Sequence, residues 1–211
     1  MKLLKYITLI AAVCAAFTLQ PAKADTFTSS LDIGNSAIAG FLQPGEEFGT
    51  VTVSVSGTTA TITFAANTAS GFFFIDTSAA AVNLATPSTA TNIVDAEFKS
   101  QESGKNVNGF GTFNLSINNL DGSGSPVDTI AFDVTVSSGT LAADVLAVNG
   151  NGFDAAAHIS IFDTVTGLPI NVTGFAAEAP GAFHEPDSGA TAMLLGLGLT
   201  GLGFVRRFVK R

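Results

Sequence analysis

The chain has 211 residues, enough for one domain of ordinary size with additional terminal segments. All 17 acidic residues lie between positions 25 and 187, where Lys99 and Lys105 are the only cations, so this region has a net charge of −15. Such a charge excludes a surface for nucleic acid or anionic lipid, because both are bound mainly through cationic contacts.

Residues 1–24 have the organisation of a secretory signal peptide. Lys2 and Lys5 precede an apolar stretch at 7–19, and Ala22 and Ala24 supply small residues at the two positions that a signal peptidase reads. We therefore expect cleavage after Ala24. A retained anchor is disfavoured because the apolar stretch is shorter than the roughly 20 residues of a spanning helix. A lipoprotein signal is disfavoured because a valine, and not a small residue, precedes Cys14.

Alternation of apolar and polar residues predicts β-strands along the body of the chain. Residues 51–56 and 59–64 alternate strictly and predict a β-hairpin. Further expected features are strands at 71–76, 92–98, 109–118, 128–136 and 157–163, a turn at 121–126, and short helical turns at 141–146 and 154–157. Short strands separated by glycine and aspartate turns predict an all-β fold, an antiparallel β-sandwich or jelly-roll-like ectodomain, over residues 25–176.

The aromatic residues expected in this body are all phenylalanine. Of the 18 phenylalanines, 14 lie between positions 27 and 175, while Tyr6 belongs to the predicted signal peptide and the chain has no tryptophan. Phenylalanine supplies the mass of a core. It lacks the polar handle that tyrosine and tryptophan bring to carbohydrate-binding surfaces. Without Cys14 the mature chain has no cysteine, so packing and not disulfides must stabilise it.

Groups suited to catalysis or metal binding are few. His158 lies on a predicted strand and His184 lies in the predicted linker, and serine and aspartate are too abundant for a Ser-His-Asp pattern to be informative. We therefore interpret His158 as structural and expect no catalytic residue, cofactor or metal site. Residues 149–154 resemble one copy of a glycine-rich calcium loop, but such loops act in tandem arrays. Ordinary turns explain this segment better.

The C-terminal residues predict a linker at 177–187, a transmembrane segment at 188–205 and a cytoplasmic tail at 206–211. The 18 residues from 188 to 205 carry no charge and would form a helix about 27 Å long, sufficient to cross a bilayer core. A basic cluster follows and should remain in the cytoplasm, which leaves the body outside. Its members are Arg206, Arg207, Lys210 and Arg211.

This end of the chain resembles a known class of sorting signal. Pro186-Asp187-Ser188-Gly189, a leucine- and glycine-rich span and a terminal basic cluster follow one another as in PEP-CTERM signals, and the motif is similar to the VPDSG-CTERM variant with Glu185 in place of valine. Residues 138–159 also resemble a stretch that recurs in ectodomains of PEP-CTERM proteins. The resemblance implies a Gram-negative host that makes exopolysaccharide, and an exosortase-type membrane transpeptidase as a transient partner.

These features predict an exported protein, first held in the inner membrane by its C-terminal helix and then placed at the cell surface or in the extracellular matrix. Signal peptidase and the exosortase-type enzyme are the expected processing partners, and exopolysaccharide is a candidate partner of the body. Our leading hypothesis is a non-catalytic surface or matrix protein. The alternatives are a secreted glycan- or calcium-binding module and, third, an exported hydrolase.

Overall fold

The computed structural model describes residues 25–94, 100–118 and 125–178, which form strands with short 3₁₀ turns. In chain order the strands are β1 (Asp25–Leu31), β2 (Ile33–Gly34), β3 (Gly49–Ser56), β4 (Thr59–Ala66), β5 (Phe72–Phe74), β6 (Ala80–Val82), β7 (Thr91–Val94), β8 (Ser100–Glu102), β9 (Lys105–Val107), β10 (Gly111–Phe113), β11 (Leu115–Asn118), β12 (Thr129–Thr135), β13 (Ala155–Phe162) and β14 (Pro169–Ala177). The 3₁₀ turns are Ala39–Phe41, Thr68–Ser70 and Ala142–Asp144. Within these residues, no helix has the length and apolar character to cross a membrane.

The first sheet has five antiparallel strands in the order β1-β3-β4-β12-β7. The β3–β4 hairpin at its centre turns at Gly57, whose φ of 64° lies in the left-handed region that glycine adopts without steric cost. Along β3 and β4 every second side chain is buried, which is the pattern expected when one face of a sheet covers a core.

The second sheet is also antiparallel and runs in the order β2-β14-β13-β6-β11-β8, with β5 paired to β13 beyond the end of β6. Its central strand, β13, has buried residues at six of its eight positions. Burial on both faces explains the alanines of β6, β13 and β14, because small side chains allow other elements to approach the sheet closely from either side.

The two sheets form a sandwich around one main core. Aromatic rings from the two sheets meet there: Phe64 of the first sheet packs edge-on against Phe74 of the second, with ring centroids 6.1 Å apart. Phe48 and Phe72 make a second contact, at 4.8 Å. The fold is therefore all-β and built of antiparallel strands, as the sequence predicted.

A smaller apolar cluster covers the outer face of the second sheet. The β9–β10 hairpin and its turn contribute Val107, Phe110 and Phe113, which pack on Ala81, Ala156 and other small residues of that face. Phe110 contacts Phe153 edge-on with ring centroids 5.0 Å apart. The outer face of the first sheet has no such cover among the described residues, and its side chains are mostly short and polar.

Two sequence predictions were wrong in detail. Residues 154–157 were expected to form a helical turn, but β13 begins at Ala155, because alanines here are required by packing on both faces of a sheet. Residues 109–118 were expected to form one strand but form β10 and β11, which belong to different sheets. They are separated by Asn114, whose amide bonds both the N–H and the carbonyl of Leu84 at 2.8 Å.

The predicted ends of the body also need adjustment. β14 includes Ala177, which was assigned to the linker, and Glu178 after it is only 4 % exposed. The packed body therefore reaches position 178. The predicted signal peptide, the transmembrane segment at 188–205 and the basic tail at 206–211 lie outside the described residues.

Candidate functional site

The site residues predicted from sequence lie at the two ends of the chain, outside the described residues. This holds for the signal peptidase positions Ala22 and Ala24 and for the whole C-terminal signal. The latter comprises the motif residues Pro186, Asp187, Ser188 and Gly189 and the basic residues Arg206, Arg207, Lys210 and Arg211. Within the body, the structure allows the two weaker candidates, His158 and the loop at 149–154, to be examined.

His158 faces an irregular loop on the outer face of the second sheet. β5 and β6 both pair with β13, but residues 75–79 between them add four residues more than the opposite strand requires. We call this segment the His158 loop. The backbone of His158 holds both of its ends: its carbonyl accepts from Ile75 N–H at 3.1 Å, and its N–H donates to the Ser78 carbonyl at 3.0 Å.

The conformation of the His158 loop is strained. Asp76 and Ser78 have φ values of 65° and 56°, in the left-handed region that non-glycine residues rarely adopt. A polar network compensates for this strain. The Ser78 N–H donates to Asn118 Oδ1 at 2.7 Å, and the Ser116 hydroxyl lies 3.2 Å from both this oxygen and the Ser78 hydroxyl. The network therefore fixes the loop to β11.

The imidazole of His158 sits between this loop and an aromatic ring. It stacks on Phe175 of β14, with ring centroids 4.4 Å apart and planes 23° apart. Burial holds the pKa of His158 below its ordinary value, although the charge of Asp76 and a hydrogen bond with the Thr77 backbone act in the opposite direction. His158 is therefore neutral at pH 7.

The residues around the His158 loop include the types found in a Ser-His-Asp site, but the described contacts do not include the hydrogen bonds of such a site. Nucleophilic catalysis requires a hydroxyl bonded to the imidazole that activates it. Among the described contacts the Ser78 and Ser116 hydroxyls bond each other and Asn118, while His158 Nδ1 and Asp76 Oδ1 are buried without a hydrogen-bond partner. Among the described contacts, therefore, no hydroxyl is bonded to the imidazole of His158.

In the loop at 149–154, the side-chain oxygen of Asn149 stabilises the turn of the loop itself. Asn149 Oδ1 accepts from the N–H groups of Asn151 and Phe153, at 2.9 and 3.2 Å, and its amide donates to the Phe110 carbonyl at 3.0 Å. This is the asparagine turn that the sequence favoured over a calcium loop. Within the described ranges, no three side chains of His, Cys, Asp or Glu lie together as metal ligands would.

Asp154, the last residue of this loop, belongs to a different cluster. It is 1 % exposed and lies against Glu178, which is 4 % exposed, beside the hydroxyl of Ser29. Burial, and then the neighbouring carboxyl of Asp154, raise the pKa of Glu178 to about 8. The sequence gave no indication of this pair, because its members are 24 positions apart and meet only when β13 and β14 align.

Sequence patterns likewise gave no indication of Asp76, Ser78 and Asn118. Each of them is an ordinary turn or strand residue in its local sequence. What brings them together is the register of β5, β6 and β11 around β13, which no local pattern specifies. The only local signal of this loop would have been that residues 71–82 are too many to pair with the strand opposite them.

Comparison with known proteins identifies the C-terminal signal. Residues 186–207 match the family model of the VPDSG-CTERM motif, which covers the four motif residues, the apolar span and the first two basic residues. No curated protein and no solved structure matches the chain. The motif implies export toward the cell surface. The chain thus carries, at residues 186–207, a PEP-CTERM-type sorting domain of the VPDSG-CTERM variant.

Proposed function

We propose that this chain is a non-catalytic cell-surface or extracellular-matrix protein of a Gram-negative bacterium. Its body is exported, held briefly in the inner membrane by residues 188–205, and passed to an exosortase-type transpeptidase that acts at Pro186-Asp187-Ser188-Gly189. The single observation that carries the proposal is the VPDSG-CTERM match at residues 186–207. The matched segment combines the motif with an apolar span and basic residues in the order that such processing needs.

The composition of the tail supports a temporary membrane stop. Leucine, phenylalanine and valine each favour insertion by about 0.3–0.6 kcal/mol, so the seven such residues between 194 and 205 contribute roughly 2–4 kcal/mol. Each of the four basic residues opposes passage through the bilayer by about 2.5–3.5 kcal/mol. The charges therefore hold the chain more firmly than the apolar span does, which suits a signal that is later removed.

The hydrogen bonds made by polar side chains in the body support a non-catalytic role. The Ser78 and Ser116 hydroxyls are engaged in fixing the His158 loop, and the Asn149 oxygen is engaged in its own turn. These side chains stabilise unusual backbone conformations. A surface charge of −15 serves solubility outside the cell.

The proposal is tested by changing the motif in cells that make the protein. Replacing Pro186 and Asp187 with alanine should leave a full-length form in the inner membrane, because the transpeptidase loses its recognition residues. The measurement is mass spectrometry of the protein from membrane and surface fractions. A mature surface species of the unaltered chain that retains Arg211 would show a permanent anchor and contradict the proposal.

A matched set of variants separates recognition from membrane retention. Replacing all four basic residues with serine removes roughly 10 kcal/mol of resistance to passage. We expect this variant to appear outside the inner membrane as an unprocessed or misrouted chain, whereas the motif variant stays inside it. Identical behaviour of the two variants would mean that the motif and the basic cluster have no separate roles. The residues changed are Arg206, Arg207, Lys210 and Arg211.

A glycan-binding module is the second candidate, and one observation favours it. The outward positions of β1, β3, β4 and β12 form rows of short hydroxyl side chains across the first sheet, such as Thr28-Thr52-Thr63. Thr28 and Thr52 hydroxyls are 3.0 Å apart, and Thr26 and Ser54 hydroxyls are 3.2 Å apart. A face on which short hydroxyl side chains predominate, with Asp133 as the carboxylate among them, is suited to a neutral polysaccharide.

Calorimetric titration of the protein with exopolysaccharide purified from the producing bacterium distinguishes the two candidates. Saturable binding with a fixed stoichiometry, lost when Thr52 is replaced by lysine, would establish the binding module. Absence of saturable binding would leave the surface or matrix role. Thr173 on β14 is exposed and provides the control site for the same substitution.

A further inference from the structure

The dipeptide Asn-Gly occurs three times in the chain, at 108–109, 149–150 and 151–152. In such a pair the glycine nitrogen can attack the asparagine side chain, because glycine has no Cβ to obstruct the approach. The attack requires that the asparagine side chain is free to turn toward the backbone and that no acceptor holds the glycine N–H. The three pairs have the same chemistry, so their hydrogen bonds decide which of them reacts.

Hydrogen bonds protect the second and third pairs. The side chain of Asn149 is fixed, since its oxygen accepts from Asn151 N–H at 2.9 Å and its amide donates to the Phe110 carbonyl at 3.0 Å. Asn151 is protected through its neighbour, because Gly152 N–H donates to the Asn149 carbonyl at 3.0 Å. In each of these pairs one reacting group must first leave a hydrogen bond, which lowers the population that can react.

The first pair, Asn108-Gly109, has neither kind of protection. Both residues are exposed in the turn of the β9–β10 hairpin. Among the described contacts, neither the Asn108 side chain nor the Gly109 N–H makes a hydrogen bond. The Asn108 carbonyl does accept from the Asn35 amide, at 3.4 Å, but this oxygen takes no part in the attack. The two reacting groups of this pair are therefore free to meet.

We propose that Asn108 is a site of spontaneous deamidation, where an isoaspartyl linkage forms and loosens the β9–β10 hairpin. The Gly109 nitrogen loses its proton to water and bonds to Asn108 Cγ; the bond from Cγ to Nδ2 breaks, and ammonia leaves with a proton from water. A second water molecule then opens the resulting succinimide ring. Cleavage between the nitrogen and Cγ gives aspartate, and cleavage between the nitrogen and the backbone carbonyl carbon gives isoaspartate.

The isoaspartyl linkage alters the turn because it adds Cβ to the path of the main chain. The turn is short: Val107 pairs with Gly111, and Phe110 N–H donates to the Val107 carbonyl at 2.9 Å. Phe110 is 3 % exposed and packs on Phe153 in the cluster that covers the outer face of the second sheet. A longer main chain in this turn displaces Phe110 from that contact, and the hairpin then holds the sheet less firmly.

Incubation of the full-length chain in detergent at mildly alkaline pH, followed by peptide mass spectrometry, tests the site. Asn108 should be converted to the acid at least about tenfold faster than Asn149 or Asn151. In concentrated urea the three pairs lose their folded contacts and should react at similar rates, which provides the internal control. A folded chain in which Asn108 reacts no faster than the other two asparagines would overturn the proposal.

Two variants test the effect on the hairpin. Asn108→Gln forms the corresponding larger ring much more slowly and should show no conversion at this position, while Asn108→Asp carries the new charge on an unaltered main chain. After equal incubation, amide hydrogen exchange should show that β9 and β10 lose protection in the unaltered chain in proportion to its isoaspartate content. Incubated Asn108→Gln and freshly prepared Asn108→Asp should both keep it. Full protection of a chain that contains isoaspartate would contradict the loosening of the hairpin.

Discussion

Asp133 shows how single polar residues stabilise this fold. Its two carboxylate oxygens accept from the Thr61 hydroxyl at 2.6 Å and from the Asn92 amide at 2.8 Å, which joins β4, β12 and β7. These two bonds, the one from Thr61 first, hold the pKa of Asp133 below its ordinary value, against a smaller opposing effect of burial. A depressed aspartate pKa stabilises the fold above the unfolded pKa, and this stabilisation is lost as pH falls through the folded pKa.

Thr61→Val should therefore destabilise the protein in a pH-dependent manner. Valine keeps the shape and the strand propensity of threonine but leaves one carboxylate oxygen without its donor. We expect a loss of about 0.5–1.5 kcal/mol at neutral pH, at the low end because Asp133 is half-exposed to water. The loss should shrink as the pH falls through the folded pKa of Asp133, because the carboxyl then becomes protonated in both states. Urea unfolding followed by circular dichroism at neutral pH and at a series of acidic pH values measures it.

Thr63→Val is the control, since Thr63 occupies the next outward position of β4 and is paired across the sheet with Ala131. Its effect should be small and independent of pH. An equal, pH-independent loss in both variants would mean that the Thr61 bond to Asp133 contributes nothing of its own.

Gly71 connects two elements that a larger residue would separate. It ends the 3₁₀ turn Thr68–Ser70 with a φ of 79° and leads into β5, and its carbonyl accepts from Phe162 N–H at 2.8 Å. A Cβ atom at this position would lie 2.2 Å from the Phe162 carbonyl oxygen, which is backbone and cannot rotate away. Glycine is therefore required both by its dihedral angles and by the approach of β13.

Gly71→Ala should lower the free energy of unfolding by more than about 3 kcal/mol, because it combines an unfavourable φ with a backbone clash. Gly139→Ala separates the two effects: Gly139 has a φ of 84° but open space around its Cα. It should lose only about 1–2 kcal/mol. Thermal unfolding of both variants measures the difference, and equal losses would show that the approach of Phe162 imposes no constraint.

The elements that the sequence predicted are those with a strong local pattern. β3, β4 and β12 alternate polar and apolar residues because one face of the first sheet is exposed, and the predicted boundaries were correct within two residues. The strands that were not predicted are β1, β2, β6, β8, β9 and β14, and the physical reason is clearest for β6 and β14. The alanines of β6 are buried on both faces, and β14 begins with polar, mostly exposed residues, so neither alternates. An alternating sequence pattern reflects side chains that are alternately buried and exposed. A strand whose side chains do not alternate in this way is therefore not recognised from the sequence.

The polar sites of the body were even less predictable from the sequence than its strands. The sorting motif is read from a contiguous stretch, which is why its residues were identified directly from the sequence. The His158 loop and the buried pair of Asp154 and Glu178 depend on which strands become neighbours. Asp76 and Asn118 are 42 positions apart, and Ser29 and Glu178 are 149 positions apart. No local pattern records such distances.

At the scale of the whole molecule, the body should fold without either terminal segment. Both sheets share one core, and Glu178 is the last packed residue among those that the structure describes. We expect residues 25–178 to give a monomer with a β-type circular dichroism spectrum and one cooperative unfolding transition. A fragment that ends at residue 168 lacks β14, which lies between β13 and β2, and should not fold. A mainly helical or coil spectrum of the longer fragment would contradict this prediction.

The phenylalanine core also has an optical consequence. Phenylalanine absorbs and emits weakly in the near ultraviolet, so a body with neither tyrosine nor tryptophan is almost transparent where other proteins are detected. Tyr6, the only tyrosine of the chain, lies before the expected signal peptidase site. Tyrosine absorption in a purified preparation would therefore report precursor that still carries its first residues. A single tryptophan introduced into the body would be its only strong emitter.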